Sequence, residues 1–84
     1  MTTPFTPERL TSLVDKHASV LAKAAADKHG IDANEMTVLP EEAFESESEP
    51  GTLCVIFKHP TGLYSVATPI GEDDAVGPFS INHL

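Results

Sequence analysis

The sequence predicts an α+β fold: one long N-terminal helix packed on a three- to four-stranded, mainly antiparallel sheet with a central β-hairpin. Three observations predict it. Apolar residues recur at three- and four-residue steps between residues 7 and 29, the period of a helix with one buried stripe. Two strand-like runs, residues 52–58 and 63–68, flank the turn-forming tetrapeptide His59-Pro60-Thr61-Gly62. A last segment, Phe79-Ser80-Ile81-Asn82-His83, alternates apolar and polar residues after a stretch bracketed by Gly and Pro. At 84 residues the chain reads as one small domain with a small core.

The helix is predicted over residues 7–29. Thr6 suits the cap, Pro7 suits the first position where its missing N–H costs nothing, and Glu8 favours the positive dipole end. Leu10, Leu13, Val14, His17, Leu21, Ala24 and Lys28 form the stripe, which Ala18 and Ala25 widen. Ala22 and Ala26 fall on or near the other face and are small enough to admit a second helix, so a homodimer is one expected partner state. Lys28 and His29 suit the last turn, Gly30 can adopt the left-handed conformation that ends it, and Ile31 can close over the cap.

Met36-Thr37-Val38-Leu39 predicts a strand over 36–39, with Pro40 ending it or placing it at a sheet edge. Residues 40–51 are expected to form an acidic loop, although Pro40-Glu41-Glu42 also reads as a helix start and Phe44 as the start of a short strand. The hairpin spans 52–69. With His59 opposite Leu63, and Gly62 in a bulge, Phe57 pairs with Ser65, Ile56 with Val66 and Val55 with Ala67. One face of that hairpin lies under the helix. The other would show Ile56, Tyr64, Val66 and Ile70, an apolar patch rimmed by acids. Residues 71–78 read as a loop, and 79–83 as the C-terminal strand, with Phe79, Ile81 and His83 on one side.

Charge is distributed unevenly. Thirteen acids against five bases give a net of −8. Residues 1–30 carry four bases and three acids, whereas residues 31–84 carry ten acids and a single base, Lys58. Binding to nucleic acid or to an anionic membrane needs Lys and Arg, so neither is expected. No apolar run reaches the roughly 18 residues of a membrane span. The sequence MTTPFTPERL lacks the basic-then-apolar pattern of a signal peptide, and a soluble cytoplasmic protein is the expectation.

The chemistry-bearing residues form no familiar constellation. Cys54 sits between Leu53 and Val55, where a thiol reads as inert core, and a single cysteine excludes an internal disulfide. No serine or threonine lies in a nucleophile turn, the four histidines show no metal-ligand spacing, and the five glycines are scattered singly. No enzyme, cofactor or metal is therefore expected. The acids remain. Glu41, Glu42, Glu45, Glu47 and Glu49 crowd into nine residues, and Glu72-Asp73-Asp74 forms a second cluster. Were residues 44–49 extended, Glu45, Glu47 and Glu49 would point the same way about 6–7 Å apart. That spacing is comparable to phosphates along a nucleic-acid strand.

Small size, acidity and the lack of a catalytic set resemble accessory proteins of phages and mobile elements, including inhibitors that bind host machinery. The expected function is that of a small, non-enzymatic protein-binding protein acting in the cytoplasm, or in the host cytoplasm if phage-encoded. It would dock these acids on a basic, nucleic-acid-handling protein, with Ile56, Tyr64 and Val66 adding apolar contact. The alternative is a structural or assembly subunit, of a virion or a multi-protein complex, that self-associates through the hairpin sheet.

Overall fold

The structure, a computed structural model, describes residues 5–71 and 75–84. One helix, α1 (Pro7–His29), leads into a short 3₁₀ turn (Ala33–Glu35) and four strands, β1 (Thr37–Glu45), β2 (Thr52–His59), β3 (Gly62–Pro69) and β4 (Ser80–His83). The strands form one antiparallel sheet in sequence order, β1-β2-β3-β4. The α+β architecture is as the sequence predicts. Among the described residues, no helix is long and apolar enough to cross a membrane.

The signals that define α1 work locally. The Arg9 N–H donates to the Thr6 hydroxyl at 3.1 Å, filling one of the four orphan positions at the helix start. Gly30 adopts φ 67°, and its own N–H and that of Ile31 both donate to the Ala26 carbonyl, a left-handed cap. Leu13, Val14, His17, Leu21, Ala25 and Ala26 are buried. Ala26 is therefore not on a free face, and Ala22 is half-buried against the core. A sheet of four strands is about 14 Å across and wider than a helix backbone, so it covers the flanks of the stripe as well. Lys28 is exposed, and its Nζ donates to the Ile81 carbonyl of β4 at 2.9 Å.

The strand expected over 36–39 is longer than its composition suggests. Leu39 pairs with Ile56 and Phe44 with Cys54, so residues 40–43 bulge opposite Val55 alone. Pro40 has no N–H to offer the ladder, and β1 bulges there before regular pairing resumes at Phe44. The loop expected over 40–51 is thus partly strand. Only residues 46–51 turn, and they are tied down: the Ser46 N–H donates to the Thr52 carbonyl at 2.9 Å and the Thr52 N–H to the Glu49 carbonyl at 3.1 Å.

The hairpin register differs from expectation by one residue. His59 pairs with Gly62, Phe57 with Tyr64, Ile56 with Ser65 and Val55 with Val66, leaving a two-residue loop of Pro60 and Thr61. The Thr61 N–H donates to His59 Nδ1 at 3.1 Å and the Thr61 hydroxyl lies 2.8 Å from the same atom. These contacts tighten the turn, and Gly62 at φ 136° lets β3 begin immediately after it. A slip of one residue turns every β3 side chain to the opposite face. Tyr64 and Val66 therefore join Leu53, Val55, Phe57 and Ile81 in the buried layer, which faces α1. Ile70 is partly buried against that same core.

Candidate protein-docking surface

Helix α1 covers one face of the sheet, and among the described residues no second helix packs on the other, open face. Alternation along each strand defines what that open face carries. Ile56 lies at its centre between Leu39 and Ser65. On one side of this row are Phe44, Cys54 and Ala67, and on the other Thr37, Lys58 and Leu63. β4 contributes Ser80 and Asn82. The result is an apolar patch three strands wide, bordered by polar residues at β4. Leu39, Cys54, Ile56 and Ala67 are half-buried by their neighbours, while Phe44 is 50% and Leu63 41% exposed. A half-exposed Phe on a sheet face is the informative part, because isolated apolar exposure is common and a contiguous patch is not.

Four of the sequence-predicted acids frame this patch. Glu41 and Glu42 are exposed on the β1 bulge next to Phe44, and Glu47 and Glu49 are exposed on the turn into β2. The Cys54 thiol connects the turn to the open face. Burial pushes its pKa above the ordinary value, and the Glu49 charge pushes it further the same way. Both causes favour the neutral thiol, and Cys54 is half-buried on the open face of the sheet and not in the core where the sequence places it.

Glu45 does something else. Its carboxylate accepts the Gly51 N–H at 2.8 Å and the Phe5 N–H at 3.0 Å. These bonds, the Gly51 one foremost, hold its pKa below the usual glutamate value. It pairs with Leu53, on the helix side of the sheet. The row of Glu45, Glu47 and Glu49 at strand spacing is therefore not formed, because the strand ends at Glu45 and the next six residues turn. Glu72, Asp73 and Asp74 lie outside the described residues.

Of the expected apolar contacts, Ile56 alone is on the open face. Tyr64 is instead enclosed by three histidines at the hairpin end of the sheet. Its ring stacks on His83 at 4.4 Å and packs on His29 at 4.8 Å and His59 at 6.0 Å. Its hydroxyl is 2.7 Å from that of Thr61. Among the described residues no group of three or more His, Cys, Asp or Glu is placed to hold a metal ion. Leu39, Phe44, Leu63 and Ala67 are the open-face residues that sequence reasoning missed. A correct hairpin register and a longer β1 would have found them, and Phe44, isolated among acids, was the available signal. No family model, curated protein or solved structure matches this chain.

Proposed function

We propose that the protein is a non-catalytic binding protein that docks the open face of its sheet, with Glu41, Glu42, Glu47 and Glu49 at the rim, on a basic surface of a protein partner. The observation that supports this reading is Phe44: an aromatic side chain 50% exposed, at the junction between the apolar patch and the carboxylates. Interfaces place an aromatic anchor within a polar rim in this way. The charge imbalance supports the choice of partner. Ten acids and one base in residues 31–84 steer the chain toward positive surfaces and repel negative ones. Carboxylates compete with phosphates for basic grooves, which makes nucleic-acid-handling proteins the partner class that suits this charge.

Edge-to-edge assembly has less support. The Leu84 N–H donates to the Leu63 carbonyl, so by the antiparallel alternation the Ile81 carbonyl points away from β3, and Lys28 already occupies it. At the other edge, Pro40 and the bulge interrupt β1. Both are recognised ways of blunting a sheet edge.

The test is affinity capture from the native cell lysate at low and high salt. The wild type is compared with a variant carrying Glu41→Gln, Glu42→Gln, Glu47→Gln and Glu49→Gln. The reading expects a basic protein that is retained by the wild type, released by salt and lost from the variant. Equal recovery by both proteins overturns it.

A further inference from the structure

Resting on that docking reading, we infer that the occupant of the open face is a basic amphipathic helix of about four turns. It lies along the strands with its N-terminus over Glu47 and Glu49 and its C-terminus toward Lys58. The width of the patch comes first. Apolar residues run from β1 to β3, two interstrand gaps, which is about 10 Å and the diameter of one helix. Its length along the strands, from the β1–β2 turn to the level of Lys58, is about 20 Å, or about 14 helical residues.

The apolar character of the face then selects the conformation. An extended peptide laid across Leu39, Phe44, Ile56 and Ala67 finds no backbone partners there, since strands offer their N–H and C=O groups at edges and not on faces. Its buried peptide groups would be left unpaired, each at substantial cost. A helix satisfies its backbone internally and brings only side chains to the patch. The two edges where an extended segment could pair are blunted by Pro40 and by the Lys28 bond to Ile81.

Charge fixes composition and direction. Glu41 and Glu42 flank the patch along β1, and Glu47 and Glu49 close the end nearest Cys54. Lys58, the single base in residues 31–84, stands at the opposite end, opposite Leu63 on β3 and Thr37 on β1. A helix with Lys or Arg on its flanks meets the first set, and its dipole matches the two ends when its N-terminus lies over the acidic turn. The bound state is then a sheet between two helices, α1 on one face and the partner's on the other.

The experiment uses the full chain and a synthetic Leu/Lys peptide of about 14 residues, patterned as an amphipathic helix, with its Leu/Glu counterpart as control. Titration is followed by circular dichroism and by amide chemical shifts, with a paramagnetic label on the peptide N-terminus giving its direction. Expected are a gain of helicity on binding, shifts at Leu39, Ile56 and Ala67, and broadening at Glu47 and Glu49 before Lys58. The Leu/Glu peptide should not bind, and Phe44→Ala should weaken the Leu/Lys peptide by about tenfold. Phe44 is half-exposed, so this variant keeps the fold, and an unchanged melting temperature verifies it. Several outcomes overturn the inference: binding without added helicity, shifts confined to β4 or α1, equal binding of both peptides, no binding at all, or a free protein that is already a dimer through this face. The capture experiment above is independent. An acid-dependent partner there, with any of these outcomes here, leaves the docking reading standing and removes only the helix.

Discussion

Two backbone amides converge on the Glu45 carboxylate, one from Phe5 just ahead of the α1 cap and one from the turn into β2. A single side chain thus ties Phe5 and the turn that carries Glu47 and Glu49 to the same point. Its depressed pKa gives the pH dependence a definite sign. The contribution is complete above the pH at which the unfolded glutamate ionises, near 4.5, and is lost as pH falls through the lower folded value. Glu45→Gln should therefore speed hydrogen exchange at the Gly51 and Phe5 amides at neutral pH, with the difference from wild type shrinking as pH falls below about 4. A difference independent of pH would show that the charge is irrelevant. Thr61 is the second residue whose role is out of proportion to its exposure. Its hydroxyl joins His59 Nδ1 and the hydroxyl of Tyr64, a residue 3% exposed. Thr61→Val leaves a buried phenol short of a partner and should cost about 1–2 kcal/mol in denaturant unfolding. In the background of Tyr64→Phe the same change should cost less, and an equal cost in both backgrounds would exclude the coupling.

At the scale of elements, α1 was legible because its signals are local: a cap, a first-turn proline, an apolar period and a glycine stop all lie within the element they define. The hairpin was legible as a hairpin but not in its register. That register is set by Thr61 turning back onto His59, a contact that leaves no mark on composition, and a one-residue slip reassigns Tyr64 and Val66 from the open face to the core. The extension of β1 was hidden by Pro40 and by acids that read as loop, and it becomes visible only when Phe44 and Glu45 are paired with Cys54 and Leu53. Two glycines test this account. A Cβ at Gly30 meets nothing within 4 Å, so Gly30→Ala should cost only the strain of φ 67°, about 1 kcal/mol. At Gly62 the same Cβ falls 2.8 Å from His83 Nε2 at φ 136°. Gly62→Ala must both strain the turn and displace the imidazole stacked on Tyr64. Its melting temperature should fall further than that of Gly30→Ala, by differential scanning calorimetry, and the reverse order would contradict the tight hairpin.

For the molecule as a whole, the proposed docking would have the same carboxylates act in opposite directions on folding and on binding, and salt separates the two. The Cα radius of gyration is 12.1 Å. At about 0.01 M salt the screening length is about 30 Å, so every charge feels the net of −8. At about 0.15 M it is about 8 Å, and each carboxylate feels only its neighbours. Self-repulsion in the compact state thus falls as salt rises, and the free protein should become more heat-stable over that range. A complex held by Glu41, Glu42, Glu47 and Glu49 on a basic surface should weaken over the same range, because screening removes attraction as readily as repulsion. Replacing the four glutamates by glutamine should flatten both dependences together. Each site is exposed and none of the four side chains takes part in the Glu45 bonds, so each substitution should change stability by only about 0.5 kcal/mol or less. Thermal melts and binding isotherms of wild type and variant across the salt series provide the measurement. If the variant loses the salt dependence of stability but keeps that of binding, the acids are only a solvated surface and the partner is held elsewhere. If both slopes flatten, one set of carboxylates destabilises the free protein and holds the complex.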